Sequence, residues 1–495
     1  MLIPAAGRLA KTALATLLVL AVMLSALFWR LSRGPIDASV LRPGVERLLA
    51  AQVRGGRAHA GAIDLVWFNR SGALGLELRD VSLVDGQSRP VLRARRLQAG
   101  VSLASLALLT PAAGRIGAED FFSAISVSKQ GRYGLGYDAA GAPNRTAGLL
   151  GSFDDLVGKA RAGRPLSFLN DVDLVRGVVA LREVGGPVAW GGSITSAGFH
   201  KLGGKLDANV NLAVGQAWLK ASGEGTLGLR RARISGSLAQ INPARLLPWV
   251  GATRPLSILN APVQGSGSLS WTSDRGVQTA DVRVSAGAGS LRLDGGSEAF
   301  HAGEVRADYD PASGRVLIRT LGGSSARGEL NLQGAAWLAP ATRRGGAARL
   351  EVALAAAHSR LALAYGKTPL PMDNFIARGR FIPGVNRVEI DRIGAWVAGS
   401  PIYASGVLYR PRGRRDWGVA LRGGISGMLT ARQVIAFWPD GLSDDARGWL
   451  DGHILAGRLG HALFSVRLAP GGRRRGRGPG GPPGCVRPAN RERHR

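Results

Sequence analysis

Apolar side chains recur at every second position over most of this chain, and that rhythm limits what it can fold into. Leu74, Leu76 and Leu78 alternate with Gly75 and Glu77, and Val81 and Leu83 resume the pattern after Arg79-Asp80. Leu206, Ala208, Val210, Leu212 and Val214 do the same, and similar stretches run from Ala217 to Leu238, from Gly267 to Leu293 and from Gly303 to Leu421. A period of two puts all apolar residues on one side of an extended strand. Glycine accounts for 72 of the 495 residues, about double the usual ~7%, which suits many strands joined by tight turns. Asp85-Gly86 and Asp310 to Gly314 read as such turns. Helical patterns are few: Ser39 to Arg54, Leu149 to Ala162, Asn242 to Val250 with Asn242 as cap, and Asp444 to Leu455. The expectation is a mostly β chain: an elongated, mainly antiparallel, groove-like sheet with a few short helices. No blade motif of ~40 residues recurs, which argues against a propeller.

The amino-terminal end obeys a different rule. Thr12 to Trp29 holds no charge and, at ~1.5 Å per residue, is about long enough to cross the ~30 Å hydrocarbon core. Leu14, Leu17, Leu18, Leu20, Leu24, Leu27, Phe28 and Trp29 are its expected anchoring side chains, with the two aromatics at the interface. The run is longer than the apolar part of a secretory signal and lacks an Ala-x-Ala pattern at its far end, so an uncleaved transmembrane helix is expected. Basic residues flank it on both sides (Arg8 and Lys11, then Arg30, Arg33, Arg42 and Arg47). Read literally, the positive-inside rule would keep the body in the cytoplasm, but large domains cross largely regardless of charge. The expected layout is a cytoplasmic head over 1–11, an anchor over 12–29, a helical lead-in over 30–54, a β region over 55–470 and a disordered tail over 471–495. The tail carries Arg473, Arg474, Arg475, Arg477, Arg487, Arg491, Arg493 and Arg495 against Glu492 alone, in a Gly- and Pro-rich context. It reads either as a polyanion-binding segment or as the product of a shifted reading frame.

The formal charge of +30 invites a polyanion partner. The positive charge is almost all arginine and is scattered, which fits a solvated arginine-coated surface better than a nucleic-acid platform. Trp67, Trp190, Trp218, Trp271, Trp337 and Trp396 are spread through strands and read as core or groove lining. The single cysteine, Cys485, excludes an intramolecular disulfide. Gly198 to Lys205 resembles a phosphate-binding loop superficially, but Gly204 and Leu206 stand where a lysine and a hydroxyl are needed, so it reads as a turn. No two of the histidines (His59, His200, His301, His358, His453, His461, His494) are spaced i, i+4. No Gly-x-Ser-x-Gly elbow lies between a strand and a helix. No catalytic, cofactor or metal residue is assigned, and the chain is read as a non-enzyme.

Three stretches carry a family resemblance: "GLELRDVSLVDGQSRPVLRARRLQAGVSLASL" (Gly75 to Leu106), groove-like repeats such as "SGSLAQINPARLLPWV", and "WPDGLSDDARGWLDGHILAGRLGHALFSV" (Trp438 to Val466). Together with the single amino-terminal span they resemble the AsmA-like envelope proteins, with Ala446 to Leu450 and Gly457 pointing to the YhdP branch. The resemblance covers most of Leu14 to Pro470; the chain is about a third to a half of the length that branch leads one to expect. It implies a single-pass inner-membrane protein of a Gram-negative cell, its large part in the periplasm. It further implies that phospholipids move toward the outer membrane, with acyl chains and envelope proteins as partners and no nucleic acid. A non-enzymatic scaffold assisting outer-membrane protein assembly is the alternative. Leu74, Leu76, Leu78, Val81 and Leu83 are the expected lipid lining. On that view Leu76→Asp or Leu78→Asp blocks lipid passage while the protein still folds.

Overall fold

The computed structural model describes residues 29–127, 133–137, 156–246, 258–339, 348–411 and 417–470, apart from short breaks at 32, 162–163, 184–187, 294–295, 363–367, 383–384, 437, 439–443 and 455. The residues expected to form the anchor, Leu14 to Phe28, most of the helix expected over 149–162 and the tail from 471 lie outside the described residues. Among the described residues no helix is long and apolar enough to cross a membrane. The chain is mostly β and divides into two units, Met1–Gly289 and Ser290–Arg495.

In the first unit the strands are β1 (Ile36–Asp37), β2 (Arg57–His59), β3 (Ala62–Phe68), β4 (Ala73–Val84), β5 (Pro90–Ser102), β6 (Ala113–Val127), β7 (Tyr133–Leu135), β8 (Asp171–Glu183), β9 (Val188–Leu202), β10 (Lys205–Val214), β11 (Ala217–Thr226), β12 (Arg231–Ile241), β13 (Leu259–Asn260), β14 (Val263–Thr272) and β15 (Gly276–Ala286). β3 to β6 form an antiparallel meander. β8 joins β6 in parallel, and antiparallel pairing then runs from β8 through β9 to β12, β14 and β15. The expected turns form where the sequence placed them. Gly203 and Gly204, both at positive φ, close the β9–β10 hairpin, so the loop-like Gly198 to Lys205 segment is a strand pair. Asp85 accepts backbone N–H groups of Gln87 and Arg89 at 2.9 Å each, and the left-handed residue of that turn is Ser88 rather than Gly86. Those two bonds and the Arg89 guanidinium outweigh the opposing effect of burial and hold the Asp85 carboxyl below its usual value.

Register turns the alternation into two chemically distinct faces. One transverse row reads Ile63, Leu78, Leu97, Ala118, Leu174 and Ala197 from β3 to β9, then Val210, Ala221, Gly236, Gly267 and Val282 to β15. The neighbouring row, one residue along each strand and so on the other face, reads Asp64, Glu77, Gln98, Gly117, Asp173 and Gly198, then Asn209, Ser222, Ser235, Ser268 and Asp281. A one-residue slip in any strand would exchange these faces, so burial and solvation together fix the register.

One line across the sheet breaks the rhythm in five neighbouring strands at once. Asp80, Asp120 and Arg176 adopt positive φ (51°, 49° and 51°), a conformation rare for residues other than glycine. They lie in one row with Arg95 and with Thr195, where the β9–β10 register slips by one. Beyond this crease the apolar residues change parity together: Leu78 gives way to Val81, Leu97 to Ala94, Ala118 to Phe121 and Ala197 to Ile194. Val81 thereby shares a cluster with Leu78. Arg176 Nε donates to Asp120 Oδ1 at 2.6 Å and its Nη2 donates to Glu119. The Arg176 bond is also the main reason the Asp120 carboxyl lies below its usual value.

Helices are short, as expected. α1 (Arg42–Ala50) follows a single 3-10 turn at Ser39–Leu41 and lays Val45 and Leu49 on Ala38, Ala60, Ile63, Leu78 and Val81. α2 (Leu103–Ala107) extends β5, and in α3 (Pro243–Leu246) Asn242 Oδ1 accepts the Ala244 N–H at 3.1 Å.

The second unit contains β17 (Gly296–Asp310), β18 (Arg315–Ser325), β19 (Gly328–Ala339), β20 (Arg349–Leu361), β21 (Leu370–Ile382), β22 (Arg387–Val397), β23 (Ser400–Tyr409), β24 (Gly418–Thr430) and β25 (Arg458–Leu468); β16 (Gly289–Leu293) lies at the boundary. β17 to β25 pair antiparallel in chain order. α4 (Ala431–Ala436) and α5 (Asp444–His453) sit between the last two strands. Here too one row is wholly apolar: Leu338, Leu350, Phe381, Val388, Leu408, Val419 and Leu468. Glu351, Arg380 and Glu389 form the adjacent row on the other face.

Candidate functional site

The feature that calls for an explanation is the apolar face. An antiparallel sheet with one greasy side ordinarily buries it under a second layer. In the first unit that happens in part: α1 covers one edge, and Phe121, Leu206 and Ala217 are buried farther along. Beneath α1, Leu78 is 4% and Val81 2% exposed, and Leu83, farther along the same strand, is 0% exposed. At other positions the same face is open: Ile116 is 38%, Ile234 50% and Val282 38% exposed. In the second unit no residue of the row from Leu338 to Leu468 is buried. Each sheet face therefore keeps apolar side chains in partial contact with water.

The five residues expected from sequence to line a groove are mostly packed away. Leu78, Val81 and Leu83 are closed off by the chain's own core, with Leu76 packed against it, and only Leu74 of the five lies outside that packing at intermediate exposure. The alternation placed these side chains on the apolar face of β4 but could not show that α1 covers it. Ile116, Ile234, Leu269 and Val282 are the open positions in the first unit. The tryptophans do not all join them. Trp218, beneath Lys220, and Trp337, opposite Glu351 and beneath Arg315, lie on the polar face.

The polar face carries a cluster that sequence reasoning missed. Arg115 on β6 reaches Asp171 and, at 3.0 Å, Asp173 on β8, while its Nη2 donates to Gln98 at 2.9 Å. His200 on β9 places Nδ1 2.6 Å from Asp171 Oδ1 and Nε2 3.5 Å from Asp173 Oδ1. Gln98 in turn donates to Glu77 at 2.9 Å, and Arg96 bridges Glu77 and Glu119. Gly117, lacking a side chain, leaves an open cavity of about 320 Å³ between Gln98 and Asp173. Asp171, Asp173 and His200 have the donor atoms of a metal site within 4.8 Å of one another. The Arg115 guanidinium, however, already supplies the countercharge and engages both carboxylates. The arrangement is that of a buried ion-pair knot. These residues lie on three strands, and beyond the Asp171, Asp173 alternation only the strand pairing brings them together.

At the same end of the sheet Lys201 donates from Nζ to the Ser167 carbonyl at 3.1 Å, and burial pushes its ammonium down from 10.5 to about 8. The folded chain releases this proton before the unfolded chain does. Stability contributed here is therefore lowest below about pH 8 and rises as pH climbs toward 10.5. Urea midpoints measured from pH 7.5 to 10.5 are expected to show this rise, and Lys201→Met to flatten it.

No family model matches the chain, and no curated protein or solved structure matches it either.

Proposed function

We propose that the protein holds and passes phospholipid acyl chains along its open apolar faces, as an AsmA-like, inner-membrane-anchored protein with its sheet in the periplasm. The observation that carries this reading is the alignment of partly exposed apolar rows across neighbouring strands in each unit. Acyl chains laid on such a face gain about 0.8 kcal/mol per methylene removed from water, while their headgroups stay solvated beyond the sheet. The uncharged run Thr12 to Trp29 supplies the anchor, and each apolar face offers acyl chains a surface on the way toward the outer membrane. Such passage needs no covalent step.

Adjacent residues on opposite faces give a direct test. A photoreactive phenylalanine analogue at Ile234 is expected to crosslink to phospholipid in living cells, and one at Ser235 is not. Equal labelling at both positions, or lipid at neither, would reject the conduit.

A further inference from the structure

The loop Leu103–Thr110, which joins β5 to β6, is built inside out. Ser105 is fully buried: its hydroxyl donates to the Ser102 carbonyl at 2.6 Å and accepts the Ala112 N–H at 3.0 Å. Leu103, Leu106 and Leu108 are exposed, and Leu109 is 90% exposed at a positive φ of 53°. A loop meant for water would turn the serine out and the leucines in. Here the hydrogen bonds of Ser105 fix the opposite arrangement before any partner arrives.

The surroundings identify the partner. Strand register puts this loop at the same end of the first unit as the turns Asn69–Gly72, Leu202–Lys205, Leu227–Arg231 and Ser273–Gly276. Those turns carry Arg70, Lys205, Arg230, Arg231 and Arg275 against Asp274 alone. β1 runs antiparallel to β3, so the chain also enters the sheet from this end. The exposed Trp29, which closes the uncharged run, is the start of the described chain here, with the Arg33 guanidinium 3.8 Å over its ring. Exposed leucines and basic turns at one end of the sheet, the end from which the chain enters it, match the chemistry of a bilayer with anionic headgroups.

We propose that this end of the first unit docks on an anionic lipid surface, with Leu106, Leu108 and Leu109 dipping below the headgroups. Docking sets the open apolar face upright on the membrane from which acyl chains would be drawn. It deepens the lipid-handling reading but does not depend on it, because a scaffold could dock in the same way.

The test uses the full chain in a Cys485→Ser background, reconstituted into vesicles of phosphatidylglycerol and phosphatidylcholine. An environment-sensitive dye is attached through Leu109→Cys or, as the control at the other end of β4, through Gln87→Cys. At position 109 the emission is expected to shift to the blue and to be quenched at least twofold by lipids brominated on their acyl chains; at position 87 neither should occur. Removing phosphatidylglycerol is expected to weaken the quenching at 109. A water-like, unquenched signal at 109 overturns the proposal. So does a blue-shifted signal that brominated lipid leaves untouched, which would mark a protein partner. Quenching at 109 without lipid crosslinks at Ile234 would keep the docking and reject the conduit.

Discussion

Leu78→Asp is expected to unfold the first unit. The side chain is 4% exposed and sits among Ala38, Ala60, Ile63 and Val81, with Val45 and Leu49 of α1 above it. Removing the leucine costs about 2–5 kcal/mol in lost transfer and cavity energy, and burying a carboxylate there adds a desolvation penalty. Ile234→Asp, on the same face but half exposed, is expected to change stability by less than about 1 kcal/mol while interrupting the apolar row. Urea titrations followed by circular dichroism separate the two. Comparable losses would mean that the face around Ile234 is covered after all. The pair also replaces a simpler expectation, in which charge at Leu78 spared the fold and stopped lipid alone.

The second large effect is expected at Asp171. It is 1% exposed and its two oxygens serve Arg115 and His200. Asp171→Ala leaves the largely buried Arg115 with only Asp173 and Gln98, and breaking a buried pair from one side costs about 3–5 kcal/mol. Replacing both partners, Asp171→Leu with Arg115→Met, is expected to recover most of that loss, because no uncompensated charge remains. If the double variant is no more stable than Asp171→Ala, the knot does something beyond balancing charge. Thermal melts of the three proteins decide it.

Much of this architecture is legible in the sequence, because a period of two is a local property that each strand states for itself. The β4 alternation, the turns at Asp85 and Asp310 and the Asn242 cap all appear as read. The pause at Arg79-Asp80 was visible too, but its meaning was not. Only pairing shows that Asp80 lines up with Asp120 and Arg176, so that what looks like a lapse in one strand is a step taken by all of them. The same limit hid the Arg115, Asp171, Asp173 and His200 knot, and hid α1 lying on Leu78. Each of these depends on residues brought together from distant positions, about which a neighbour-by-neighbour pattern is silent.

The crease has a consequence for how such a sheet can change. Because five strands step out of phase in the same row, losing or gaining one residue there in a single strand would turn that strand's far half over, greasy side to water, against unaltered neighbours. The row therefore ties the lengths of β4, β5, β6, β8 and β9 into one joint constraint. The sheet can grow by adding whole hairpins at its margins far more readily than by stretching any strand from within.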